Sequence, residues 1–227
     1  MNSGLKSPYN GVFFDLDGTL ADTAPDLVAA ANQLLVARKL KPKPYEVLRP
    51  CASAGARGLI GGAFGIDTDH PDFISLRDEF FTNYEKALLV DSQLFEGIDH
   101  LLNQLDYAQL PWGIVTNKSE RFTHPLTELM GLRQRAASTV SGDTTPYSKP
   151  HPEPILHAAK IANIDPSKSI YVGDDIRDIV AGKAAGMKTI AAAYGYCGCD
   201  EPPEAWGADY LVRHPLELLE IIFPNRG

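Results

Sequence analysis

The stretch Val12-Phe13-Phe14-Asp15-Leu16-Asp17-Gly18-Thr19-Leu20 constrains this chain more than any other. Three apolar residues run directly into Asp15, and a short apolar run bounded by a glycine predicts a buried strand. Strands covered on both faces, as in parallel sheets, have this unbroken apolar character. Asp15 then falls at the strand's carboxyl end, where open α/β sheets hold their ligands. Were the strand to continue at period two, Asp15 and Asp17 would point the same way. Two carboxylates that close repel, so one pKa rises unless a cation lies between them. The pattern suits a metal site, a carboxylate nucleophile or an acid kept protonated near neutral pH. As local chemistry alone, Asp17-Gly18 is also an ordinary turn pair.

Further strand ends follow the same plan. Leu110 to Val115 is apolar and ends in Thr116 and Asn117, with a helix expected from near Ser119. A hydroxyl at a strand's end, before a helix N-terminus, is well placed to bind a phosphate oxygen, although Thr-Asn is equally a helix cap. Ala137 to Val140 is a short strand, and the polar loop after it ends in Ser148-Lys149-Pro150-His151-Pro152-Glu153-Pro154. His151 has the setting of a solvated loop residue. Ser169-Ile170-Tyr171-Val172-Gly173 leads into Asp174, Asp175 and Asp178, acids that could also simply favour a helix N-terminus. Gly186 to Ala191 and Asp209 to Val212 complete the strands, with a last helix over Pro215 to Ile222. Strands alternating with helices predict an α/β fold, a three-layer Rossmann-like core whose parallel strands end along one edge. On that edge Asp15/Asp17, Thr116/Asn117, Lys149 and Asp174/Asp178 are expected to meet.

One interruption stands out. Asp22-Thr23-Ala24-Pro25-Asp26 has the cap, early proline and early acid of a helix start. Helical patterns continue through Tyr45 to Leu48, where Pro50 is expected to stop them, then Leu59 to Phe64 and Phe73 to Leu89. A strand–helix–strand crossover needs only about a dozen residues. The excess predicts a helical insert over residues 21–91, set into a core made of residues 1–20 and 92–227.

The totals narrow the functional classes. A chain of 227 residues suits one large domain or a core with an insert, and 44% apolar residues suffice for a core. A formal charge of −8 gives no nucleic-acid-binding surface, so a protein like this acting on phosphates needs local cations or a metal. No apolar run approaches the ~20 residues of a membrane span. Met1 to Asn10 holds one lysine and no apolar centre, unlike a signal peptide. Three cysteines cannot build a disulfide framework. Cys197-Gly198-Cys199 is spaced too tightly for a structural zinc site, and reads as a surface thiol pair. The expectation is a soluble cytoplasmic protein with a small-molecule partner and neither nucleic acid nor membrane; oligomeric state is not legible.

Asp15-Leu16-Asp17-Gly18-Thr19-Leu20, the apolar run ending in Thr116, Lys149-Pro150-His151-Pro152 and Gly173-Asp174-Asp175-Ile176-Arg177-Asp178 together resemble the four motifs of the haloacid dehalogenase superfamily. The resemblance spans about Gly11 to Ile222. It implies that the insert is a helical cap closing over the site, with Arg57, on a glycine-flanked turn, as the cap residue reaching the substrate. It implies a Mg²⁺-dependent phosphomonoesterase in which Asp15 attacks phosphorus and Asp17 exchanges the leaving-group proton. Lys149 and Thr116, with Asn117 beside it, would hold the phosphoryl group. Mg²⁺ would sit on Asp15, the main-chain carbonyl of Asp17 and Asp174; Asp178 would orient this site, and Asp175 would be either a ligand or a neighbour. Within the superfamily the chain looks most like the phosphoglycolate phosphatase group, with 2-phosphoglycolate as expected substrate, through Phe14 to Pro25, Val115-Thr116-Asn117-Lys118 and Tyr194-Gly195-Tyr196. Ser53-Ala54-Gly55-Ala56-Arg57, Leu94-Phe95-Glu96-Gly97 and Trp206-Gly207-Ala208-Asp209 are similar to N-acetylmuramic acid 6-phosphate phosphatases of cell-wall recycling, the alternative. A β-phosphoglucomutase-like phosphotransferase and a non-catalytic binding module are the readings from other classes.

Overall fold

A computed structural model of the chain describes residues 5–198 and 201–224. The apolar runs form one parallel sheet of six strands: β1 (Gly11–Phe14), β4 (Trp112–Val115), β5 (Ser138–Val140), β6 (Ser169–Gly173), β7 (Lys188–Ala192) and β8 (Tyr210–Val212). Their spatial order is β5-β4-β1-β6-β7-β8. The chain begins at the centre with β1, moves outward through β4 and β5, and returns to pair β6 against the other side of β1. This reversal opens a crevice at the carboxyl end of β1.

Side chains alternate across the sheet. Val12, Phe14, Ile170 and Val172 pack with Leu101, Leu102 and Leu105 of α5 (Ile98–Tyr107), Leu126 of α6 (Glu120–Leu129) and Leu218 and Ile222 of α9 (Leu218–Ile222). Phe13 and Tyr171 point the other way, toward Ile155 and Ala158 of α7 (Glu153–Ala162) and Ala181 of α8 (Ile176–Ala184). Both faces are covered by helices, which is why the strands read as continuous apolar runs.

The insert leaves and rejoins the core through a feature with no sequence signature. β2 (Ala21–Asp22) and β3 (Gln93–Leu94) form a two-residue antiparallel ribbon, pairing Ala21 with Leu94 and Asp22 with Gln93. Between them lie α1 (Ala24–Ala37), α2 (Tyr45–Leu48), α3 (Gly55–Phe64) and α4 (Phe73–Lys86). Pro50 does not stop the chain from coiling. α2 passes straight into a 3₁₀ segment, Arg49–Ala54, with Pro50 in its first turn, where a missing N–H costs nothing. Leu27, Leu34, Leu48, Leu59, Phe80 and Tyr84 give the insert its own apolar core, joined by Phe122 and Tyr196 from the other side of the crevice. Among the described residues no helix is long and apolar enough to cross a membrane.

Asp26 ties the two ends of the insert together. Its carboxylate, 3% exposed on α1, accepts hydrogen bonds from the main-chain N–H groups of Val90, Asp91 and Ser92, each at 3.0 Å, and from the Ser92 hydroxyl at 2.6 Å. Removing the acceptor strands the N–H and hydroxyl of buried Ser92 and frees the N–H groups of Val90 and Asp91, which lie at exposed residues. Asp26→Ala is therefore expected to lower the unfolding free energy by about 3 kcal/mol, and Asp26→Asn by less. Urea unfolding monitored by circular dichroism measures both.

Candidate active site

The strand does not continue through Asp15. After Phe14 the chain turns, and Gly18 adopts φ +86°. The two motif aspartates consequently take different cations. Asp15 Oδ1 meets Lys149 Nζ at 2.8 Å, and Asp17 Oδ1 meets Lys118 Nζ at 2.8 Å. Each carboxylate thus has its own lysine, which relieves the repulsion that shared orientation would have created.

Lys149 is 4% exposed and holds the centre of the site. Its ammonium reaches Asp15, Asp178 Oδ1 at 2.7 Å, the Val115 carbonyl at 2.7 Å and the Tyr171 hydroxyl at 2.9 Å. Burial works against its charge, but Asp15 and Asp178 outweigh burial and hold the ammonium well above its usual range. Asn117 anchors the lysine's main chain: its amide nitrogen donates to the Lys149 carbonyl and its amide oxygen accepts from the Lys149 N–H, both at 2.9 Å. That side chain positions Lys149, and Asn117 also lines the cavity beside Thr116.

Asp174 follows β6 and is 1% exposed. It accepts from the Thr19 hydroxyl at 3.0 Å and the Tyr196 N–H at 2.8 Å. Gly18 and Gly195 crowd it, since a Cβ at either position would come within 2.1 or 2.3 Å of Asp174 atoms. Asp15, Asp174 and Asp178 bring carboxylate oxygens within 4.8 Å of one another. With one lysine among three acids, the fully ionised cluster carries a double negative charge. Burial, followed by the charges of Asp15 and Asp178, pushes Asp174 well above the usual carboxylate range. Burial pushes Asp178 up to about 7 against the opposing pull of Lys149. A compact set of hard oxygen donors with that charge could hold a divalent metal ion.

The structure redistributes the remaining candidates. The Asp17 side chain is not in the acid triad: it accepts from Thr23 Oγ1 at 2.5 Å as well as pairing with Lys118, and Asp178 takes the third place. Asp175 is turned toward Arg177 and Ser53, as the cap of α8. Its carboxyl lies at about 2, because Arg177 and Ser53 outweigh the upward push of burial. Thr116 is buried at the end of β4 and lines the cavity. Arg57 is exposed in the first turn of α3, and the residues lining the cavity there are Ala52 to Ala56. His151 is exposed, its ring stacked on Tyr147 at 4.3 Å. Cys197 is half-buried, with its thiol pushed up to about 11 by burial, while Cys199 lies outside the described residues.

Lys118 and Tyr84 are functional candidates that sequence reasoning passed over. Lys118 is buried beneath the insert, its ammonium 4.7 Å from the centre of the Tyr84 ring on α4. Its position directly after Thr116-Asn117 was the available signal. Tyr84 had none, because an aromatic in a helical stripe reads as core. The resulting cavity of about 280 Å³ has Asp15, Asp17, Lys118 and Lys149 along its floor. Leu27, the Ala52–Ala56 segment, Phe80, Phe81, Tyr84 and Phe122 form its upper wall.

These features agree with comparisons to known proteins. Residues 12–192 match the family of haloacid dehalogenase-like hydrolases. An N-acetylmuramic acid 6-phosphate phosphatase from Pseudomonas putida is 43% identical over 211 residues, covering 93% of this chain and 95% of the relative. A phosphoglycolate phosphatase from Xanthomonas campestris pathovar campestris is also 43% identical, over 209 residues, covering 92% and 94%. Among solved structures, a predicted phosphoglycolate phosphatase from Haemophilus somnus superposes with a TM-score of 0.83 at 24% identity, covering 95% of this chain and 98% of that one; at that identity the likeness concerns the fold. The chain belongs to the haloacid dehalogenase-like hydrolases. Within them it is a phosphoric monoester hydrolase.

The raised carboxyls make metal binding compete with protons. Asp178 binds its proton more tightly folded than unfolded, so the metal-free protein loses stability as pH rises from about 4 to about 7. A bound divalent cation displaces that proton and stabilises most where the carboxyls are ionised. The gain in Tm from millimolar Mg²⁺ is expected to be small near pH 5.5 and to grow toward pH 8; differential scanning fluorimetry across that range checks it.

Proposed function

We propose that this protein is a Mg²⁺-dependent phosphatase acting on a sugar-acid phosphate, with N-acetylmuramic acid 6-phosphate as the leading substrate and 2-phosphoglycolate as the second. Asp15 would attack phosphorus, forming an aspartyl phosphate as the bond to the leaving oxygen breaks. Asp17, held by Lys118 and Thr23, would give a proton to the departing alkoxide. It would then take one from the water that cleaves the intermediate, which returns Asp15 and releases phosphate. Lys149 would balance charge on Asp15 and on the phosphoryl oxygens, with Thr116 beside it. Asp15 and Asp174, with Asp178 adjoining, would hold Mg²⁺. Asp17 would add its main-chain carbonyl, since its carboxylate is already engaged. The metal supplies charge neutralisation between the nucleophile and a phosphate dianion.

The observation that carries the substrate preference is the upper wall of the cavity. It is formed by aromatic rings, Leu27 and small residues, and among the described residues the cations that line the cavity, Lys118, Lys149 and Arg177, are each paired with an aspartate. A two-carbon phosphorylated acid would ask for an unpaired cation opposite the phosphate and would leave much of the cavity to water. A pyranose offers apolar ring faces to Phe80, Phe81 and Phe122 and fills more of the volume. That the Pseudomonas putida relative is an N-acetylmuramic acid 6-phosphate phosphatase supports the same choice.

Phosphate release from a panel of N-acetylmuramic acid 6-phosphate, 2-phosphoglycolate and β-glucose 1-phosphate tests this. We expect kcat/KM to favour the first over the second by about a hundredfold, roughly 3 kcal/mol of differential transition-state binding. A reversed ranking would assign the phosphoglycolate activity, and a requirement for a sugar bisphosphate activator would assign a mutase. Asp15→Asn should abolish turnover on every substrate while leaving the circular dichroism spectrum unchanged.

A further inference from the structure

Asp175 and Arg177 lie between Asp174 and Asp178 of the acid triad in sequence but grip the helical insert. Arg177 places Nε 2.7 Å from Asp175 Oδ1 and Nη2 2.8 Å from Oδ2, a two-point pairing that fixes the plane of the guanidinium. The Arg177 main-chain N–H donates to the same carboxylate at 2.9 Å. From the insert, Ser53 meets both partners: its hydroxyl donates to Asp175 Oδ2, and its carbonyl accepts from Arg177 Nη2 at 2.7 Å. The side chains of Asp175 and Arg177 are 16% and 30% exposed, so water competes weakly for them.

Ser53 belongs to the segment Ala52-Ser53-Ala54-Gly55-Ala56, all of which lines the cavity. Its side chains end at Cβ or one atom beyond. A wall of this kind has almost no rotamers with which to adjust, so its distance from Asp15 depends on where the main chain is held. Gly55, at φ +58° and ψ −144°, turns the 3₁₀ segment into α3 two residues after Ser53, a conformation that side-chain-bearing residues disfavour. The ion pair also presents no net charge to the cavity.

We propose that Arg177 and Asp175 are positioning residues for the leaving-group wall: by gripping Ser53 they set how far the Ala52–Ala56 segment stands from Asp15, and so which leaving groups the enzyme accepts. The kinetic half of this proposal rests on the sugar-acid phosphate reading; the structural half does not. The test compares the full-length wild type with Arg177→Met by two measurements. Amide hydrogen exchange over residues 52–56 should quicken in the variant while β1 and β6 keep their protection. The kcat/KM for N-acetylmuramic acid 6-phosphate should fall about tenfold, mainly through KM, with a several-fold smaller loss on p-nitrophenyl phosphate. Ser53→Ala, which removes the hydroxyl's contacts but keeps the carbonyl's bond to Arg177, should shift both readouts the same way by less, and keeps the test decisive should Arg177→Met fail to fold. Unchanged exchange would overturn the proposal, as would parallel losses on both substrates, which would place Arg177 in the service of the acid triad. If the wild type shows no preference for the sugar phosphate, the substrate reading falls and the exchange result alone decides whether the grip exists.

Discussion

The site depends on one buried ammonium. Lys149 stands between Asp15 and Asp178, with the Val115 carbonyl and Tyr171 hydroxyl completing its coordination. Taking a lysine this far from water costs several kcal/mol, and only close partners on several sides offset it. The arrangement works in both directions. Without Lys149, Asp15, Asp174 and Asp178 would gather three negative charges at the end of the sheet. Without the acids, the lysine would have no reason to be buried. The surplus of negative charge that remains is what suits the cluster to a divalent cation, and it sets the protons of Asp174 and Asp178 in competition with that cation.

Packing enforces the electrostatics. Gly18, Gly195 and Gly173 each lie so close to an acid of the triad that a Cβ would collide with it. Tyr196 links this region to the insert: its N–H holds Asp174, and its hydroxyl accepts from the N–H groups of Thr23 and Ala24 where α1 begins. Arg49, from the 3₁₀ segment, lies 5.1 Å from the centre of the Tyr196 ring and donates to the Gly195 carbonyl. The segment that carries the insert's contribution to the cavity is therefore tied to the same loop that fixes Asp174. An enzyme of this kind gains from such linkage, because excluding water strengthens every charge interaction in the site.

Much of this was legible in the chain. The apolar runs ending in Asp15, Thr116 and Asp174 announce buried parallel strands, since only strands covered on both faces lack polar alternation, and parallel strands bring those residues to one edge. The helical stripes between Ala24 and Lys86 announce the insert. What one dimension hides is which charge meets which. Asp17 and Asp15 look like a pair in sequence, yet a turn at Gly18 gives them to Lys118 and Lys149. Asp175 looks like a metal neighbour, yet its carboxylate closes on Arg177 and Ser53. Asn117 gives no sign in sequence that its side chain holds the main chain of Lys149. Arg57 has the local setting of a substrate contact, yet α3 carries it to the surface while its small neighbours face the cavity.

The division has a physical cause. Hydrophobic periodicity and turn chemistry are local, so the chain alone dictates an α/β core, a helical insert and a set of chemically competent strand ends. Partner choice among charged side chains is not local. It is settled by desolvation and by distances of a few ångströms between residues more than a hundred positions apart, such as Asp15 with Lys149 and Asp17 with Lys118. Only the folded chain, with the insert lowered onto the sheet edge, decides which carboxylates gather around a cation, which are neutralised and which hold the wall of the cavity in place.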